Sequence, residues 1–166
     1  MQFGLTIPLQ RRLKIQTLRY GEPLDRLYCW DLHLIPLRGR GSLLAVHCAS
    51  RYACVVYGMT DEDWSGLAGK AAEAIRRSLL EAGLGEGAAA AYFERTGAPY
   101  FTRTHGRREV AFLNRAWDDV NALDHAVDPG GQAQPLLERA VNALPCRCAG
   151  EFGLAPARDR LLRLMA

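Results

Sequence analysis

Residues 28–57, YCWDLHLIPLRGRGSLLAVHCASRYACVVY, decide the fold. Three runs rich in β-branched, aromatic and other apolar residues occupy 28–37, 42–49 and 52–57. The first two are separated by Arg38, Gly39, Arg40 and Gly41, and the last two by residues 49–51. Such connections are too short for a parallel crossover, which needs a dozen or more residues, so the stretch predicts an antiparallel meander. Upstream, residues 2–7 alternate small or polar with apolar side chains up to Pro8 and read as an added N-terminal strand, with Leu9, Leu13 and Ile15 following on a short helical turn.

Downstream the period changes from 2 to 3.6. Thr60, followed by Asp61, Glu62 and Asp63, marks a helix start. Trp64, Leu67, Ala68, Ala71, Ile75 and Leu79 then form one apolar stripe, ended by Gly83. A shorter alanine-rich helix is expected over residues 88–95, and residues 99–103 look extended. After Gly106, Val110, Leu113, Ala116, Trp117, Val120, Leu123 and Val127 share one helical face. Helices carrying Leu137, Ala140, Val141 and Leu144, and then Leu161, Leu162 and Met165, complete the chain. The expectation is one α+β domain over residues 1–166, an antiparallel β-meander with an added N-terminal strand packed against several amphipathic helices.

Composition limits the function classes. With 49% hydrophobic and 23% charged residues the chain reads as an ordinary globular domain, and it has no apolar run long enough to span a bilayer. Five scattered cysteines without an export pattern point to a cytoplasmic protein with reduced thiols. The pair Cys146 and Cys148 has no second pair downstream, so zinc would need distant ligands such as His47 or His125. No metal and no cofactor is expected. His33 and His47 fall in strand-like runs and read as cross-strand residues, and His125 as a solvent-facing helix position.

All basic residues except Lys14 and Lys70 are arginine, as a GC-rich coding sequence would also produce, and residues 1–58 carry the positive excess. The candidate functional surface is the segment Thr102, Arg103, Thr104, His105, Gly106, Arg107 and Arg108 at the head of the longest C-terminal helix. Unpaired backbone N–H groups there favour an anion. Thr104 is a candidate cap, Arg103 and Arg107 candidate anion ligands, and His105 a candidate binder or proton shuttle. Asn114, two turns after Arg107, is placed to line the same groove. The reading is a binding or regulatory module with an anion-receptive polar groove at residues 102–114, its partner an anionic ligand or a protein, with weak nucleic-acid binding as a further possibility and no membrane. The alternatives are an enzyme acting on a phosphorylated or nucleotide substrate through His105, or a nucleic-acid backbone binder.

Thr102, Arg103 and Thr104, followed by Arg107 and Asn114, resemble the TKT…RSVLGSMN signature of a bacterial family of domains of unknown function, domain of unknown function 6933. Leu5 and Thr6 leading to Leu9 and Leu13, Trp30 at the head of the meander, and Asn142 with Leu144 and Pro145 are similar in order. The sequence departs from the pattern at Arg108 and Glu109, where the family has small or apolar residues, and at Ala111 and Phe112, which stand in place of Gly and Ser. The resemblance implies the fold and the choice of Thr102, Thr104, Arg107 and Asn114, and no reaction.

Overall fold

The computed structural model describes residues 1–22, 24–148 and 152–166. A five-stranded sheet runs in the order β4-β3-β2-β1-β5, built from β1 (Gln2–Leu5), β2 (Cys29–Leu37), β3 (Arg40–His47), β4 (Ala53–Val56) and β5 (Tyr100–Arg103). The meander is present: β2 and β3 pair antiparallel from Trp30 opposite His47 to Leu37 opposite Arg40, and β3 and β4 pair antiparallel. The fold is α+β, but the sheet is mixed rather than purely antiparallel. β1 lies parallel to both β2 and β5, with Gly4 opposite Asp31 on one side and Thr102 on the other. The reason is the long connection on each side. A chain that passes through α1 (Ile7–Arg12) before β2 has enough length to cross over and return in the same direction.

Strand alternation sends residues to two cores. On one face, Phe3, Leu5, Trp30, Leu32, Leu43, Ala45, Cys54 and Val56 are buried with side chains of α3 (Leu67–Glu81), α4 (Glu86–Thr96) and α7 (Ala157–Met165). On the other, Ile35, Leu37, Leu44, Val46, Ala53 and Val55 pack with Leu113, Ala116 and Val120 of α5 (Arg107–Ala122) and with Leu137 and Val141 of α6 (Pro135–Ala143). This second face is apolar only over β3, β4 and the end of β2. Towards β1 and β5 its positions are Gln2, Gly4, Thr6, Asp31, His33 and Thr102, all given the same side by the register. A polar strip is thereby buried beside an apolar core.

Local chemistry explains the element ends. Thr60 and Asp63 form a reciprocal capping box at α2 (Asp61–Ser65), but Gly66 terminates that helix and α3 starts anew, so the single helix expected from residue 60 is two. α5 stops at Ala122 and a 3-10 turn, Asp124–Ala126, takes over where one continuous stripe was expected. The free edge of β4 is covered. Asn142 accepts from the Ala53 amide and donates to the Ala53 carbonyl, Glu138 accepts from the Val55 amide, and Tyr57 N–H donates to the Gln132 carbonyl. Asn142, Leu144 and Pro145 therefore have a structural meaning: the helix end seals a sheet edge, and Pro145 opens the short pair β6 (Pro145–Cys146) with β7 (Ala155–Pro156).

Candidate functional site

The polar strip converges on His105. This residue lies in the loop between β5 and α5, and its side chain is only 3% exposed. Its Nδ1 stands 2.7 Å from Oδ1 of Asp31 and its Nε2 stands 3.2 Å from Oε1 of Gln2. The Gln2 amide is oriented by donating its own N–H to the Glu22 carbonyl, so its oxygen faces the ring. His105 also donates its backbone N–H to Asp31, at 3.2 Å, which fixes the loop to the strand. Gly4 makes this approach possible: a Cβ there would stand 2.1 Å from Asp31 Oδ1 and 2.9 Å from His105 Nδ1.

A second tier of contacts holds the loop from outside. Arg26 donates to the His105 carbonyl at 2.9 Å and its Nε lies 3.4 Å from Oε1 of the buried Glu109. Glu109 in turn lies against Gly106, whose φ of 144° is open to glycine; a Cβ there would meet Oε2 at 2.6 Å. The thiol of Cys48, which is buried, lies 3.5 Å from His105 Nδ1.

Electrostatics follow from this burial. Desolvation pulls the His105 pKa down, but hydrogen bonding to Asp31 and Cys29 and the charge of Asp31 more than offset it and lift it to about 9. Burial pushes the Asp31 carboxyl upward, against the opposing pull of His105. Both ring nitrogens face oxygen acceptors, an arrangement that favours the protonated ring. Cys48 and Asp31 both address Nδ1 while Gln2 takes Nε2, and burial raises the Cys48 thiol well above its ordinary range.

Outside the pair lies a recess of about 340 Å³ lined by residues that include Gln2, Tyr20, Arg26, Arg103, Thr104 and His105. Arg103 is exposed and held without a carboxylate among the described residues. Its Nε donates to the Leu18 carbonyl at 2.9 Å, its Nη1 reaches the Tyr20 hydroxyl at 3.4 Å, and the guanidinium lies over the Tyr20 ring at 5.0 Å.

The structure thus brings three of the six sequence candidates, Arg103, Thr104 and His105, to one recess. Thr102 is buried on β5 and spends its hydroxyl on the Arg103 carbonyl. Arg107 and Asn114 are exposed on α5 and do not line this recess. Thr104 does not cap α5, whose N-cap is Gly106 with no side-chain acceptor. Arg108 faces a different recess, of about 670 Å³, with Arg51, Arg115 and Arg147. Cys146 and Cys148 join neither His47 nor His125: Cys146 contacts the Ala155 carbonyl and Arg160, and Cys148 the Ala49 carbonyl. His47 is bonded to Ser50 and the Leu27 carbonyl.

Sequence reasoning gave no site role to Gln2, Gly4, Arg26, Asp31, Cys48 or Glu109. One signal was available. Asp31 is an acid inside a strand whose flanking residues are otherwise apolar or aromatic, and a central carboxylate needs a partner.

A family model described as a domain of unknown function (DUF6933) matches residues 2–154. No curated protein matches the chain.

Proposed function

The chain belongs to the domain-of-unknown-function family DUF6933, and we propose that it is a cytoplasmic bacterial binding module whose recess at Arg103, Thr104, His105 and Arg26 receives a small anionic group. The observation that carries this reading is the state of Arg103. Its guanidinium is already oriented by a carbonyl and a tyrosine ring, faces the recess, and makes no ion pair among the described residues, although Glu22 also lines that recess. Arg26 adds a second guanidinium to the same wall, although Glu109 shares it. Five free thiols fit a reducing compartment. Among the described residues no helix is long and apolar enough to cross a membrane.

The test is titration of the full chain at low salt with inorganic phosphate and with AMP, followed by calorimetry and by the Arg103 side-chain N–H resonance. The expected result is saturable binding that Arg103→Ala weakens at least tenfold and Arg107→Ala leaves unchanged. Absence of saturable binding, or equal binding by Arg103→Ala, would overturn the reading.

One observation favours a second reading, binding of a nucleic-acid backbone. The recess beside α5 gathers Arg51, Arg108, Arg115 and Arg147 against Asp118 and Asp119, and Arg51 is tied to Asp119 at 2.6 Å. Retention of a short oligonucleotide that falls steeply with salt and is lost in Arg108→Ala, with phosphate binding at Arg103 intact, would favour this surface.

A further inference from the structure

Asp31, Cys48 and His105 come from β2, from the turn after β3 and from the β5–α5 loop, yet one ligand atom of each lies within 4.8 Å of the other two. Among the described residues no other set of three histidine, cysteine or acidic side chains meets this condition. We propose that these three side chains form a binding site for a zinc-like divalent transition metal.

Nδ1 of His105 carries at most one hydrogen, but Asp31 Oδ1 at 2.7 Å and Cys48 Sγ at 3.5 Å both converge on it. A single N–H serves the carboxylate, which leaves the buried sulfur aimed at a nitrogen that is already engaged. A cation placed among the three atoms satisfies all of them at once. Zinc bonds of about 2.0 Å to nitrogen or oxygen and about 2.3 Å to sulfur put tetrahedral ligand atoms roughly 3.3–3.8 Å apart. The sulfur–nitrogen edge has that length already, the nitrogen–oxygen edge would lengthen by about half an ångström, and the sulfur–oxygen edge lies within 4.8 Å and would close onto the ion. Gly4, which has no side chain, borders the same space.

The ligand set suits the metal class. One thiolate, one imidazole and one carboxylate are borderline donors that favour zinc or cobalt over magnesium or calcium. Cys29 lies on the same face of β2 as Asp31, but its thiol donates to the Asp25 carbonyl, so the three side chains leave the fourth position of a tetrahedral ion to solvent. On binding, the Cys48 S–H and the His105 Nδ1–H each pass their proton to buffer while Asp31 enters as carboxylate. The ion's two positive charges are then balanced by one thiolate and one carboxylate. The ring stays anchored through Nε2 to Gln2, as metal-bound histidines require of their other nitrogen. His105 borders both sites, but the ion would take its Nδ1 together with Asp31 and Cys48, whereas the proposed anion meets Arg103.

The experiment uses the full chain, stripped with chelator under reducing conditions and titrated with Co²⁺ and then Zn²⁺. The expected result is one ion per chain, visible d–d bands of a tetrahedral cobalt site, and a near-ultraviolet thiolate-to-cobalt band that Zn²⁺ abolishes. About two protons should be released per ion near neutral pH, read by indicator dye. Cys48→Ser should remove the thiolate band, Asp31→Asn should weaken binding at least tenfold, and the double variant Cys146→Ser/Cys148→Ser should bind as the parent does. Crystals of the unsubstituted chain loaded with zinc give a readout that needs no variant, with anomalous density between Asp31, Cys48 and His105. No stoichiometric binding, a thiolate band that survives in Cys48→Ser, or anomalous density elsewhere would overturn the proposal.

Discussion

Gly4 and Asp31 face each other across the parallel β1–β2 ladder so closely that the carboxylate oxygen occupies the space a β-carbon on Gly4 would need. The Asp31–His105 contact, and with it the loop that runs from Thr104 after Arg103 at the end of β5, depends on that vacancy. Gly4→Ala should force the carboxylate and imidazole apart and destabilise the fold by about 2–3 kcal/mol, in the range of overpacked interiors. The check is the urea midpoint together with the His105 ring resonances. An alanine variant with an unchanged midpoint and unchanged ring shifts would show that the contact is not confined as described.

Asn142 replaces a neighbouring strand for Ala53. Its amide makes both backbone hydrogen bonds that a sixth strand would have made there, and a third to the Glu138 carbonyl. Asn142→Leu should leave a buried N–H and C=O unsatisfied and cost about 2–4 kcal/mol. Amide exchange should accelerate selectively at Ala53, which separates loss of the edge cover from general loosening. Asn114→Leu, on the exposed face of α5, should stay within about 0.5 kcal/mol of the parent. Equal destabilisation by the two changes would contradict the edge-cover account.

What could be read in the chain before its structure divides along the same line as these two substitutions. Local patterns were legible: the alternating runs of residues 28–57, the Thr60 cap, and the stripe of Leu113, Ala116 and Val120 all appear where spacing places them. The partners of β1 were not, because pairing direction depends on residues distant in the chain, and nothing in residues 2–7 distinguishes a parallel neighbour from an antiparallel one. The site divides similarly. Arg103, Thr104 and His105 are consecutive and stood out as a basic loop, whereas Asp31 and Gln2 reach His105 from 74 and 103 residues away. Arg107 and Asn114 have the helical spacing of a groove, but α5 turns them to solvent while Glu109 takes the inward position next to the loop.

Asp63 gives the protein a defined acid sensitivity. Burial pushes its carboxyl up, but the Thr60 amide, Gln132, Lys70 and the Thr60 hydroxyl together outweigh that effect and hold it well below the usual carboxylate range. A carboxyl depressed in the folded state stabilises fully above its unfolded value of 3.8 and loses that stabilisation as pH falls through the folded value. Asp63→Asn should therefore cost about 1 kcal/mol at pH 7, the worth of a helix cap, and the gap to the parent should close as pH drops below about 4. Paired denaturation curves between pH 7 and pH 3 measure this. A gap that widens on acidification would reverse the assigned sign.

Arg103 separates charge from geometry at the recess. Lysine in its place keeps the positive charge but loses the planar fork that meets the Leu18 carbonyl while lying over Tyr20. If anion capture relies on a pre-oriented guanidinium, Arg103→Lys should bind phosphate about three- to tenfold more weakly than the parent, between the parent and Arg103→Ala. Tyr20→Leu should produce a loss of similar direction by freeing the guanidinium, although it removes no charge. The ionic-strength dependence of binding should fall in Arg103→Ala and persist in Tyr20→Leu, because only the first removes an ion. Phosphate titrations of the four proteins at two salt concentrations decide the matter: lysine binding as tightly as arginine would reduce the site to a point charge and remove the role given to Tyr20.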